Sequence, residues 1–145
     1  MFTQPWLMSA LLSAAAAALV GIFAKVGMKQ VDPTLATAVR SVIMTLFLAG
    51  FCTLSGNWSK ISSLHPRAVA MIALSGLAGA VSWLFYFKAI QLGTVAQVAP
   101  IDKMSMPLTV ILAVLLLGER PSGINWVGIA LIVGGAYLAA MPSTR

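Results

Sequence analysis

Long stretches without a charged side chain dominate this sequence of 145 residues. An α-helix rises about 1.5 Å per residue, so about 20 apolar residues cross a hydrocarbon core about 30 Å thick. The long uncharged runs are Met1–Ala24, Ser41–Ser59, Ala68–Phe87, Met104–Gly118 and Pro121–Thr144. They predict an all-α integral membrane protein with five transmembrane helices, which we expect near residues 6–28, 33–54, 67–90, 95–117 and 124–141.

Composition excludes the other broad classes of protein. Hydrophobic residues make up 60% of the chain and charged residues only 8%, whereas about a quarter of an ordinary soluble domain is charged. The net charge of +6 comes from basic residues scattered singly between the apolar runs, which predicts no nucleic-acid partner. The single histidine, His65, lies in a predicted loop, and neither a metal-binding nor a catalytic motif is present. The sequence therefore predicts no enzyme, no metal site and no cofactor.

Residues typical of helix ends and turns lie between the apolar runs. Asp32 followed by Pro33 is typical of a helix N-cap and its first residue, and Gly93–Thr94 is typical of a helix stop and a new cap. Residues 56–66 are predicted to form a loop, and residues 118–123 a tight polar turn. A short turn makes the two helices that it connects antiparallel neighbours.

Several charges lie inside the predicted spans, all in one half of the membrane. Counted from the helix ends, Arg40 and Asp102 lie about 10 Å deep, Lys103 about 12 Å, and Lys25 and Lys88 about 3–5 Å. Each intramembrane charge costs about 2.5–3.5 kcal/mol on insertion scales, so such residues usually face a partner or a watery cavity. The two shallow lysines are expected to extend to the interface, at the rim of a cavity.

Two prolines interrupt the fourth span. Pro100 and Pro107 each lack a backbone N–H, which predicts a helix break around Asp102 and Lys103. The alternative is a helix that begins at Pro100 and leaves Asp102 in a solvated first turn. Interrupted helices near the bilayer midplane mark many transporter sites.

Helical rotation suggests which side chains line the predicted cavity. At about 100° per residue, Asp102 shares a face with Ser105 and turns away from Lys103, which favours an ion pair between Asp102 and Arg40. Trp83 and Tyr86 share another face, either as an aromatic wall for an organic substrate or in contact with lipid. We therefore predict cavity-lining residues Arg40, Trp83, Tyr86, Asp102, Lys103 and Ser105, with Lys25 and Lys88 at the rim.

Five short strings together resemble the EamA-like branch of the drug/metabolite transporter superfamily, in particular its short members with one five-helix repeat. Four of the strings contain the charges found inside the predicted spans. The strings are Phe23-Ala-Lys-Val-Gly27, Asp32-Pro33 with Ala36-Thr-Ala-Val-Arg40, Tyr86-Phe-Lys-Ala-Ile90, Pro100-Ile-Asp-Lys-Met-Ser105, and Leu117-Gly-Glu-Arg120 with Trp126-Val-Gly128.

This resemblance covers residues 1–145 as a single EamA-like transmembrane domain. It implies a secondary transporter in the plasma (inner) membrane that moves a small organic solute by alternating access. Longer relatives contain two such repeats in opposite orientations, so a single repeat implies a homodimer, either antiparallel or parallel. The basic excess around the cavity favours an anionic solute, although the same residues also contact membrane lipid. The alternative is a non-transporting subunit or assembly factor of a larger membrane complex.

Overall fold

The computed structural model describes residues 5–141, and every regular element in that range is helical. A 3₁₀ helix covers Asn57–Ser63, and a π-helical turn, Ala113–Leu117, continues α5. The α-helices are α1 (Pro5–Gly27), α2 (Pro33–Leu54), α3 (Pro66–Leu92), α4 (Val95–Asp102), α5 (Ser105–Leu112) and α6 (Gly123–Ala139). These bounds differ from the predicted span bounds by at most two residues, while the depth of the membrane along each helix stays a prediction.

Four helical stretches are long and apolar enough to cross a membrane. They are Trp6–Gly27, Pro33–Leu54, Pro66–Leu92 and Val95–Leu117, with mean hydropathies of 2.2, 1.8, 1.9 and 1.7. The fifth, α6, has 17 residues and rises about 25 Å. Large apolar side chains along all five are exposed, as lipid-facing positions require. The predicted all-α membrane fold is confirmed.

The described chain divides into two compact units. One contains Val26–Lys88, and the other contains the chain up to Lys25 and from Ala89 onward. In the second unit, α6 packs against α4 and α5. Pro107 of α5 and Ala136 of α6 are among its buried residues.

Local capping explains where the helices begin. The Asp32 carboxylate accepts the backbone N–H groups of Thr34 and Leu35 at 2.8 and 3.0 Å, so it caps α2 as predicted. Thr94 forms a capping box with Gln97 at the start of α4. Because α4 begins at Val95, the alternative of a helix that starts at Pro100 is wrong.

The connection between α2 and α3 is more ordered than the sequence predicted. Its serines and asparagine suggested a loop, but Asn57–Ser63 form a 3₁₀ helix. Gly56 precedes this helix with a φ of 66°, a conformation that glycine adopts without steric cost. Trp58 donates its indole N–H to the Thr53 hydroxyl at 3.0 Å, and Lys60 donates to Asn57 at 3.0 Å. These local bonds hold the segment in a defined shape.

Candidate functional site

The Arg40 guanidinium stacks on an aromatic side chain. Its Cζ lies 3.4 Å from the centre of the Trp83 ring, which is within the distance of a cation–π contact. Arg40 lies two turns into α2, Trp83 lies on α3, and both side chains are half-buried. A guanidinium that lies flat on a ring keeps its N–H groups directed outward in its own plane. The contact therefore orients the guanidinium group without involving its N–H groups.

Trp83 belongs to a cluster of three aromatic residues on α3. Its ring centre lies 5.4 Å from those of Tyr86 and Phe87, with interplanar angles of 87° and 69°. Both contacts have the edge-to-face geometry that aromatic pairs favour. The Phe87 ring also lies 5.9 Å from Arg40 Cζ, and Phe87 is buried. This cluster fixes the ring on which Arg40 stacks.

No carboxylate in the same unit neutralises Arg40. Asp32 is the one acidic residue within Val26–Lys88, and its carboxylate caps the first turn of α2. The Leu35 N–H is the main cause of a lowered pKa for Asp32, and the Thr34 N–H acts in the same direction. Within this unit the Arg40 charge therefore lies against aromatic rings, with Trp83 nearer than Phe87, and not against a carboxylate.

The second charged position lies where α4 ends and α5 begins. The Lys103 ammonium lies 3.3 Å from the Asp102 carboxylate, and the two side chains are 54% and 32% exposed. Continuous helical geometry would turn these neighbours about 100° apart, so the contact was not predicted. Asp102 is the last residue of α4, and Lys103 follows it in the connection to α5. At this exposure the pair is partly solvated and weak.

Pro107 accounts for the break in the backbone. It has no N–H to donate to the Lys103 carbonyl, which instead accepts the Met106 N–H at 3.0 Å. The Met104 N–H similarly bonds three residues back, to Ile101, at 2.9 Å. Pro100, by contrast, lies inside α4 without ending it. The helix is therefore interrupted at residues 103–104.

The Lys25 ammonium forms hydrogen bonds to backbone carbonyls. Its ammonium donates to the carbonyls of Ile90 and Gly93 at 2.6 and 2.8 Å. These carbonyls lie at the C-terminal end of α3, where a positive charge is favourable because the helix dipole is negative there. Gly93 allows the tight turn, because a Cβ at this position would lie 3.1 Å from a Val98 methyl group. Lys25 thus stabilises the turn between α3 and α4.

The remaining predicted residues have simpler surroundings. Lys88 is exposed, its rim position stays a prediction, and Ser105 is exposed at the start of α5. Tyr86 is half-buried beside Trp83. The predicted Arg40–Asp102 ion pair, and the cavity that would include both residues, draw on two different units and stay predictions.

Comparison with known proteins identifies the family. The model of the EamA-like transporter family matches residues 4–141. The chain belongs to this family. An uncharacterized transporter in the cobO 3′ region of a Sinorhizobium species is 45% identical over 139 residues, which are 96% of this chain and 99% of that one. No solved structure matches the chain.

The EamA-like family and the helical structure together establish a multi-pass membrane transporter of the drug/metabolite type. Besides the Arg40–Trp83 stack and the Asp102–Lys103 contact, sequence reasoning missed two further features of this EamA-like chain. One is Phe87, whose position one helical turn after Trp83 was a usable signal. The other is the binding of Lys25 to backbone carbonyls, for which the local sequence carried no signal beyond the glycine at position 93.

Proposed function

We propose that this EamA-like transporter is a secondary carrier for small organic anions, with Arg40 as the group that binds a carboxylate. The observation that carries the proposal is the stack of Arg40 on Trp83, at 3.4 Å from guanidinium carbon to ring centre. An intramembrane arginine is costly to insert and is usually retained for a function.

The stacked geometry suits recognition of a carboxylate. Arg40 presents its planar N–H edge, which can form two parallel hydrogen bonds to the two oxygens of a carboxylate. Trp83 covers one face of the guanidinium, and the Tyr86 ring lies beside the Trp83 ring. Apolar or aromatic carbon next to the carboxylate could pack on these rings. The solute class that fits is therefore a carboxylate with an apolar body.

The break between α4 and α5 supports an alternating-access mechanism. Interrupted helices allow two halves of a span to move relative to each other around a binding site. The Asp102–Lys103 pair lies at this interruption and is partly exposed, so it can exchange partners at low cost.

Asp102 is also the candidate carrier of a coupled proton. Asp102→Asn should then slow uptake and reduce its dependence on pH.

A homodimer in the plasma membrane completes the proposal. With five spans, the chain ends on the side of the membrane opposite to its start, so a second copy can supply the other half of an inverted pair. An odd number of spans per chain is compatible with both an antiparallel and a parallel dimer. A reporter fused to the C-terminus distinguishes them, because an antiparallel dimer requires signal on both sides of the membrane.

Uptake into proteoliposomes tests the function. The solute panel should pair each apolar carboxylate with its neutral amide, which has similar size and shape. We expect uptake of carboxylates over amides, loss of that preference in Arg40→Gln, and partial retention in Arg40→Lys, which keeps the charge without the planar edge. Lys29→Gln is the matched control, since it removes an exposed basic residue from the α1–α2 connection.

Two results would contradict the proposal. One is equal uptake of acids and amides by the wild-type protein, which removes the role of Arg40 in selecting anions. The other is the absence of uptake of every panel member together with stable co-purification of a larger complex, which favours the non-transporting subunit.

A further inference from the structure

An open cleft of about 500 Å³ lies beside the turn that leads into α6. It is lined by Val110, Glu119, Arg120, Pro121, Asn125 and Ile129. We propose that this cleft binds a membrane phospholipid with a primary-amine headgroup, of the phosphatidylethanolamine class. The inference does not depend on which solute the protein transports.

Two opposite charges line the cleft without neutralising each other. Glu119 and Arg120 are sequence neighbours, both are exposed, and neither takes part in an ion pair among the residues that the structure describes. A cleft that offers a separate carboxylate and guanidinium is complementary to a ligand carrying both a cation and an anion. The headgroup of this phospholipid is such a ligand, because it has a phosphate and an ammonium.

The cleft matches the headgroup end of a phospholipid in depth and in polarity. Val110 lies seven residues before Leu117, the last residue before the turn, and Ile129 lies six residues after Gly123, the first residue of α6. These separations correspond to about 10 Å and about 9 Å along the helices. If the membrane ends where the spans are predicted to end, this places the charged turn at the level of the headgroups and the two apolar side chains where the glycerol and first methylenes would be.

The backbone holds the charged turn in one conformation. The Ala113 carbonyl accepts the N–H groups of both Gly118 and Glu119, the latter at 3.3 Å. Gly118 has a φ of 71°, the left-handed conformation that commonly ends a helix. Ser122 then caps α6 by accepting the Asn125 N–H at 3.4 Å. The five residues between the helices are therefore fixed at both ends, and ligand binding need not order them.

Headgroup chemistry decides which phospholipid fits. Arg120 can bind the phosphate through charge-assisted hydrogen bonds, and Glu119 can accept hydrogen bonds from a primary ammonium. The quaternary ammonium of phosphatidylcholine has no N–H to donate, and phosphatidylglycerol has no cation. The cleft should therefore prefer the primary amine to both.

The test uses the full-length protein purified in detergent, with lipids of identical acyl chains added at a few mole per cent. Thermal unfolding measures stabilisation, and native mass spectrometry counts retained lipid. We expect phosphatidylethanolamine to raise the unfolding temperature and to bind about tenfold more tightly than phosphatidylcholine, which corresponds to the loss of about one charge-assisted bond. Glu119→Gln should abolish this preference, and Arg120→Gln should weaken retention of both lipids. Arg67→Gln, which removes an exposed basic residue from the first turn of α3, should change neither.

Other outcomes would overturn the assignment. Equal binding of phosphatidylethanolamine and phosphatidylcholine by the wild-type protein removes the role of Glu119. Tighter binding of phosphatidylglycerol than of phosphatidylethanolamine would show that the cleft acts only as a basic patch. If soluble phosphoethanolamine stabilises the protein as strongly as the lipid does, the cleft binds a free zwitterion and not specifically a phospholipid. The unfolding temperature of each variant without added lipid shows whether it folds normally.

Discussion

The Lys25 ammonium lies 2.6 Å from the Ile90 carbonyl oxygen, a contact that joins α1 to the end of α3. The same ammonium lies 2.8 Å from the Gly93 carbonyl. Ile90 lies in the last turn of α3, where backbone carbonyls lack partners within the helix itself, and Gly93 follows the end of that helix. Lys25 therefore has a structural role that its place at the rim of a predicted cavity did not suggest.

We expect Lys25→Met to destabilise the protein. A hydrogen bond to a charged group contributes about 1.5–3 kcal/mol, and half-burial places Lys25 in the lower part of that range, so a loss of about 2 kcal/mol is expected. Chemical unfolding in detergent micelles measures the change. Lys29→Met is the control, because Lys29 is exposed. An equal effect of the two substitutions would show that the carbonyl contacts contribute nothing.

Trp83→Leu should weaken solute binding while keeping an apolar side chain at that position. The stack on Trp83 holds the Arg40 guanidinium in place, and a cation–π contact contributes about 0.5–2 kcal/mol. The apparent affinity for a transported carboxylate should therefore fall by about 2- to 30-fold. Concentration-dependent uptake measures this, with Trp126→Leu as the control on α6. Unchanged affinity in Trp83→Leu would contradict the role of the stack.

Pro107→Ala should slow transport. It restores an N–H that can bond to the Lys103 carbonyl, so α4 and α5 can continue into each other and the break becomes stiffer. We expect uptake to slow by about fivefold or more, equivalent to about 1 kcal/mol in the barrier. Pro100→Ala is the matched control, since Pro100 lies within α4 and does not end it. If both variants transport at the wild-type rate, the break is not a hinge.

Asp32 makes the stability of the start of α2 dependent on pH. The Leu35 and Thr34 N–H groups lower the pKa of Asp32 from its ordinary value of 3.8. A lowered pKa in the folded state means that the carboxylate contributes stability above pH 3.8, and that this contribution is lost as pH falls through the folded-state value. Unfolding of wild type and Asp32→Asn between about pH 2 and 6 measures the difference. The variant should lack this acid-dependent loss, because an amide side chain caps the helix without titrating. Parallel pH profiles would contradict the assignment.

Features that depend on neighbours in the sequence were predictable. The spans follow from uncharged runs, the cap at Asp32 from the proline after it, and the break in the fourth span from Pro107. The 3₁₀ helix at residues 57–63 was not predicted, because serine and asparagine are common both in loops and in such turns. Arg40 and Trp83 were each predicted to line a cavity, but their stacking was not predicted, because nothing in the sequence pairs side chains 43 positions apart.

The sequence by itself determined that this chain is a multi-spanning helical membrane protein with charges inside its spans, because hydropathy and the cost of buried charge act on each segment locally. Tertiary structure alone decided what those charges contact. Arg40 stacks on Trp83, and Lys25 caps the carbonyls at the end of α3. Such contacts depend on where separate segments lie in space, and uniformly apolar helices carry little sequence information about that arrangement.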